Sequence, residues 1–206
     1  MAMPAETIIE VVNINDPEAL KAVVGETSVS EASRADRIAS ATRKAITEKM
    51  DEDPTFYKQF SELLEETIRA YREKRLSERD YLNSVVDLAS KVARKDRGRD
   101  VPEGIRGDED ALAFFGILDG QLKSKGDEPV ASDDVAAIAQ QIIDIIKSHL
   151  IVDIWSNEVA QNNLRNAIDD YFFDVLRDEG GVDLPVEVLD DLELKIMDLA
   201  RARFAA

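Results

Sequence analysis

Apolar positions along this chain recur mainly with the 3.6-residue period of an amphipathic helix, seldom with the two-residue period of a strand. Ala35, Ile38, Ala39, Thr42, Ile46 and Met50 make one stripe. Phe56, Phe60, Leu63, Leu64, Ile68 and Tyr71 make the next, and Tyr81, Leu82, Val85, Leu88, Ala89 and Val92 a third. Leu112, Phe115, Leu118 and Leu122 follow, then Val135, Ile138, Ile142, Ile145 and Ile146. Val159, Leu164, Ile168, Tyr171, Phe172 and Val175 lie on one face of the segment after Trp155, and Leu189, Leu192, Ile196 and Leu199 close the series.

Punctuation between the stripes supports this division. Asp16-Pro17 and Asp53-Pro54 each offer an N-cap followed by a proline at the first helical position. Gly25 is expected to close the short first helix after Val24. Ser77-Glu-Arg-Asp80 resembles a capping box, and the short break near Leu76 predicts that the flanking helices fold back as a hairpin. Asp108 and Ser132 are expected caps, as is either Asp153 or Ser156 ahead of the aromatic helix. That helix should end near Gly180-Gly181, and Asp183 or its neighbours with Pro185 should open the last one. Residues 94–107 and 123–130 read as loops rich in charge, Gly and Pro. Only Thr7-Ile-Ile-Glu-Val-Val-Asn-Ile14, being β-branched, departs from the helical pattern.

The fold class that follows is all-α: a bundle of about seven helices, with one short strand or irregular segment at the N-terminus. Residues 1–29 read as an extension carrying a short helix. Residues 30–206 read as the helical domain, with sub-bundles at 30–106 and 107–206. No repeat at solenoid spacing is present. Phe56, Phe60, Tyr71, Tyr81, Phe115, Trp155, Tyr171 and Phe172 are the expected aromatic core.

Composition narrows the function. At 206 residues and 44% hydrophobic content, the chain suits one or two domains with a real core. It has no cysteine, which excludes disulfides and thiolate metal sites. No apolar run reaches the length of a membrane span, and the first residues lack the basic and apolar regions of a signal peptide. These features fit a cytoplasmic protein. Net charge is −17, unevenly spread. Residues 54–99 hold 11 Lys+Arg against 8 Asp+Glu (+3), and residues 127–206 hold 6 against 18 (−12). The acidic stretch repels phosphate backbones, so any nucleic-acid contact falls to the middle third.

Catalytic signatures are missing. There is no phosphate loop, no dinucleotide fingerprint and no nucleophile elbow. The one histidine, His149, has Ile146 three residues before it, which excludes the Glu-x-x-His pairs of a helical di-metal site. Its position suits a helix C-terminus. Two polar clusters stand out as partner contacts. Arg69, Arg72, Arg75 and Arg79, with Lys74, gather at the hairpin turn, and Glu65–Arg69 and Arg69–Glu73 have i,i+4 spacing. Asn157, Asn162, Asn163 and Asn166 form an uncharged patch that reads equally as a polar interface or as an exposed helix face.

Several segments, taken in order, carry a family resemblance. They are Phe56-Tyr-Lys-Gln-Phe60-Ser-Glu-Leu-Leu-Glu-Glu-Thr-Ile68 with Tyr71, then Tyr81-Leu82 and Val85-Val-Asp-Leu88. Glu109-Asp-Ala-Leu-Ala-Phe-Phe115 and the helix through Ile142 follow. Val152-Asp153-Ile154-Trp155, Leu164-Arg-Asn-Ala-Ile-Asp-Asp-Tyr171 and the Ala200-Arg201 helix complete the set. Their order resembles the C-terminal helical region of the restriction subunit, HsdR, of type I restriction–modification enzymes. Where that family has Val-Asp-Trp, this chain inserts Ile154.

The resemblance implies a parent that is an ATP-dependent type I site-specific deoxyribonuclease, with a nuclease and RecA-like motor domains using ATP and Mg. It implies that this part is not itself an enzyme and needs no cofactor. Its role would be assembly with the methyltransferase and specificity subunits or with the motor domains. The alternative is a DNA-contacting module built on the basic 54–99 hairpin.

Overall fold

The structure, a computed structural model, describes residues 12–98, 101–123, 130–179, 182 and 184–205. Among these residues there are eight α-helices and no strand. The helices are α1 (Pro17–Gly25), α2 (Glu31–Glu48), α3 (Pro54–Arg72), α4 (Glu78–Arg94), α5 (Glu109–Leu122), α6 (Ser132–His149), α7 (Glu158–Asp170) and α8 (Val186–Phe204). Three short 3-10 turns, Met50–Glu52, Glu103–Ile105 and Ile154–Ser156, punctuate them, and a π-helix, Tyr171–Glu179, continues α7. The fold class is the all-α one expected, with α1 making the eighth helix. Thr7 to Val11, the main part of the β-branched segment, lie outside the described residues, as do Gly180, Gly181 and Asp183.

Caps explain where the helices begin. Asp16 accepts from the Glu18 N–H, Ser30 from Ser33, Ser77 from Asp80 and Asp108 from Ala111. Each satisfies one of the donors that an α-helix leaves unpaired at its start. Asp53 does the same for α3 through the Phe56 N–H, 3.2 Å away. Three expectations need correcting. Ser132 is already helical, and the cap position is held by Ala131, which makes no side-chain bond. Gly25 lies inside α1, because the chain leaves the helix at Glu26 in an extended conformation that needs no glycine. The cap of α7 is Asn157, whose side chain accepts from the Ala160 N–H, rather than Asp153 or Ser156.

The chain divides into two compact units. The first comprises residues 1–49 with 57–96, the second residues 50–56 with 97–206. In the first unit the most extensive packing is between α2 and α4. Ala35, Ala39, Val85 and Ala89 are all buried there, and small side chains of this kind let helix backbones approach closely. The N-terminal ends of α2 and α4 lie together. Tyr81 donates its hydroxyl to Asp36 at 2.9 Å, the Ala32 N–H meets Glu78 at 3.5 Å, and Arg79 lies 3.9 Å from Glu31. Two helix N-termini side by side concentrate positive dipole ends, and Glu31, Asp36, Glu78 and Asp80 offset them.

Both α3 and α4 end in a Schellman arrangement. The Arg75 N–H bonds the Ala70 carbonyl and Lys74 that of Tyr71, while Asp96 bonds Lys91 and Lys95 bonds Val92. The left-handed position is filled by Lys74 (φ 60°) and by Lys95 (φ 52°), where glycine is usual. A β-carbon there costs about 1–2 kcal/mol, and a glycine gives back about 0.4–1 kcal/mol through the unfolded chain. Lys74→Gly is therefore expected to stabilise the protein by about 0.5–1 kcal/mol, read as a higher urea midpoint with an unchanged slope.

The second unit holds a continuous core running from Ile105 to Ala200. Helix α5 lies at its centre, packed against α6 and α8. Ala111, Ala113, Phe114, Phe115, Ile117, Leu118 and Leu122 of α5 are all buried. A helix apolar on nearly every side has no solvent face to keep. The loop expected over 94–107 contains the 3-10 turn Glu103–Ile105, which drives Ile105 into this core at 1% exposure.

Candidate interaction surfaces

At the α3–α4 turn, Arg69, Arg72, Lys74, Arg75 and Arg79 are all exposed. Their charge is partly answered nearby: Arg75 pairs with Glu73 at 2.7 Å, and Arg79 lies 3.9 Å from Glu31. The i,i+4 pairs expected for Arg69 do not form. Glu65 instead accepts from Arg43 of α2, with Nε at 3.0 Å and Nη2 at 2.6 Å, and Glu73 takes Arg75. The two-pronged guanidinium bond to Glu65 fixes geometry better than a single-prong helical pair. Among the described residues, Arg69, Arg72 and Lys74 are the cations of this turn without an ion pair.

The aromatic segment is built differently from the expected single helix. Trp155 lies in the 3-10 turn ahead of α7, half-buried, and its indole N–H donates to the Phe204 carbonyl at 3.1 Å. Ile154, the residue inserted in the Val-Asp-Trp pattern, takes the buried place at 2% exposure. Asp153 makes this possible by adopting a left-handed conformation, φ 60°. Gln161 then ties the turn to α7 through the Ile154 carbonyl, 3.1 Å away. Val159, placed by periodicity on the inward face, is 70% exposed. Only Leu164 and Ile168 of α7 are buried; their i,i+4 spacing defines the inward face, and Val159 lies off it. Asn162, Asn163 and Asn166 are exposed, with Asn162 accepting from Arg165 at 3.0 Å. Asn157 is committed to capping.

The other aromatics fall into two groups. Phe56, Phe60, Tyr81, Phe115 and Phe172 are buried, and so are Tyr57 and Phe114. Tyr71 and Tyr171 are half-buried: Tyr71 stacks on Tyr81 with ring centroids 4.4 Å apart, and Tyr171 tilts against Phe172 at 6.3 Å. Rings at the edge of a core cover their neighbours with one face and meet solvent with the other. Burial and the Asp36 carboxylate both push the Tyr81 hydroxyl well above its ordinary value, so it stays a proton donor.

Charged groups also enter the second unit. Asp53 is only 8% exposed and pairs with Arg97, whose guanidinium also lies 5.3 Å from the centre of the Phe56 ring. Arg203 donates to Asp110 at 2.5 Å and to the Glu52 carbonyl at 2.8 Å. Burial first, and then the neighbouring Arg203, lower the Arg97 guanidinium to about 10, with Glu109 opposing. It remains charged at neutral pH.

Between α7 and α8, Arg165 Nε sits 3.2 Å from Glu193 Oε1, an ion pair without hydrogen-bond alignment. Burial raises the Asp169 carboxyl, with Asp190 and Asp170 adding to it, and burial also raises Glu193, with Asp169 adding and Arg165 opposing. A carboxyl raised in the folded state binds protons more readily there than in the unfolded chain. Its contribution is most favourable below the unfolded value and is lost as pH rises through the folded one. Asp169→Asn should therefore raise the melting temperature at pH 7, and the gain should vanish by about pH 3.5, below the ordinary aspartate value. Paired thermal melts at the two pH values measure this.

The single histidine, His149, ends α6 with Nδ1 2.9 Å from the Ile145 carbonyl and 3.1 Å from Ser148 Oγ. No group of three or more potential metal ligands occurs among the described residues. No helix among them is long and apolar enough to cross a membrane.

Comparison with known families points to the C-terminal domain of a type I restriction enzyme subunit. Residues 30–175 match the family described as type I restriction enzyme HindI endonuclease subunit-like, C-terminal, and the chain belongs to that family. Comparison with curated proteins and with solved structures gave no match.

Proposed function

We propose that this domain is a non-catalytic assembly module, joining the endonuclease subunit to the methyltransferase and specificity subunits or to its own motor domains. What supports a protein partner over DNA is the charge distribution. Residues 127–206 carry 18 acidic against 6 basic residues, and at the basic turn Arg75 and Arg79 already lie against Glu73 and Glu31. The single histidine is engaged with a helix-end carbonyl and a serine.

Neutralising phosphates with the three turn cations alone gives a logarithmic salt slope of about −3 in duplex binding. The domain is therefore expected to bind duplex DNA no tighter than micromolar in physiological salt, and Arg69→Glu, Arg72→Glu and Lys74→Glu together should flatten the slope. It is expected to bind the cognate methyltransferase complex or the motor fragment, and to show neither ATPase nor Mg-dependent nuclease activity. Sub-micromolar duplex binding in physiological salt, with no binding to the protein partners, would replace this reading with the DNA-contacting module.

A further inference from the structure

We propose that the outward face of α7, with the Ile151-Val152 step before it, is the docking surface of this domain, and that it accepts a protein surface with an apolar centre and a Lys/Arg rim. This rests on the assembly reading above. Val159, Asn163, Asn166 and Asp170 follow one another at i, i+4, i+7 and i+11, so they share one side of α7, and all four are exposed. Ile151 is 54% exposed, Val152 89% and Val159 70%. Of the seven large hydrophobic residues exposed among the described ones, six lie between Ile151 and Leu194, so the exposed apolar surface is concentrated in the C-terminal part of the chain. Burying one such aliphatic side chain is worth about 1.5–3 kcal/mol, which isolated folding of this domain leaves unused.

The centre of the face is also uncharged. Val159, Asn162, Asn163 and Asn166 are consecutive outward positions in a chain that is 33% charged. Amides and aliphatics are less costly to desolvate than carboxylates, and charge depletion marks the cores of protein interfaces. The base is held in place by the Gln161 bond to the Ile154 carbonyl and the Trp155 bond to the Phe204 carbonyl, which reduces the ordering cost of docking. Asp153, Glu158, Asp170 and Asp174 flank the face; the one cation of α7, Arg165, is occupied by Glu193 and Asn162, and Arg201 at the base lies over the Trp155 ring, 5.7 Å from its centre, so the rim is net anionic. An anionic rim selects a cationic one opposite. A second copy would set these carboxylates against each other.

The test uses the 206-residue chain and the purified methyltransferase–specificity core of the cognate enzyme. Val152→Glu with Val159→Glu should weaken binding at least about tenfold, while the Arg69, Arg72 and Lys74 charge reversal leaves it within about twofold. Wild-type affinity should fall as salt rises. Both positions are exposed, so circular dichroism should be unchanged. The chain has no cysteine, so Asn163→Cys carries a single environment-sensitive label, which should shift to the blue on complex formation. Equal binding by wild type and the double variant, with an unshifted label, overturns the docking face and leaves the assembly reading standing. No binding by wild type to this core or to the motor fragment overturns both. A dimer in sedimentation that the double variant abolishes assigns the face to a second copy and also overturns the proposal.

Discussion

Replacing Asp53 with alanine is expected to destabilise the protein by about 3–5 kcal/mol, a large share of the stability of a domain of this size. Two losses combine. The first is the cap: the Asp53 carboxylate accepts from the Phe56 N–H at the start of α3, and removing such a group costs about 1 kcal/mol. The second is the ion pair with Arg97. That guanidinium side chain is 14% exposed, already lowered by burial, and close enough to Arg203 to be repelled by it. Without Asp53 it is left charged and poorly hydrated, which is the costly half of any buried pair. The surroundings leave little room for it to escape, since a β-carbon added at Gly116 would stand 3.1 Å from Thr55 Cβ and 3.5 Å from Arg97 Nη1. Urea titration of Asp53→Ala, Arg97→Met and the double variant separates the two losses. The double variant should be more stable than the Asp53→Ala single, because it removes the stranded charge. A double variant that loses the sum of the two singles would show that the pair carries no coupling.

The helices were legible because burial imposes a phase on the sequence. Tyr81, Leu82, Val85, Leu88, Ala89 and Val92 can share one side of α4 only if the chain turns every 3.6 residues, and all six are buried. The Asp-Pro steps were legible for a local reason, since capping involves residues three apart or fewer. Partnership over long distances was not. Nothing near Asp53 in the sequence points to Arg97, and the i,i+4 spacing of Glu65 and Arg69 pointed away from Arg43. Local spacing defines which pairs can form, and tertiary packing decides which do. Val159 was misplaced for another reason: it lies five and nine residues before Leu164 and Ile168, spacings that put it on the far side of α7 from the buried pair. Asn157 reads as an interface residue by composition and as a cap by position. The left-handed lysines left no signal, because the usual signal is a glycine. The family was legible from aromatic and aliphatic residues whose order spans most of the chain, whereas a face of valines and asparagines resembles any other helix surface until exposures are known.

Phe114→Ala should be the most damaging single apolar truncation in the second unit, costing about 3–5 kcal/mol. Phe114 is 0% exposed on the helix at the centre of that core, and its ring stacks on Phe204 with centroids 6.3 Å apart. Periodicity pointed to Phe115, which is also buried, at 7%. The signal for its neighbour was the run Ala111-Leu-Ala-Phe-Phe-Gly-Ile-Leu118, too continuously apolar for a helix with a solvent face. Because α5 is packed on several sides, neighbouring helices cannot all move inward to fill the space, so the cavity term adds to the lost transfer energy. The half-buried Phe173 provides the control: the same truncation there removes a ring already partly in water and should cost clearly less. Phe114→Leu should recover much of the loss by restoring volume without the ring. The order expected in chemical denaturation is therefore Phe114→Ala below Phe114→Leu, with Phe173→Ala closest to wild type. A Phe173 truncation as damaging as that of Phe114 would place the centre of the core nearer to the π-helix than to α5.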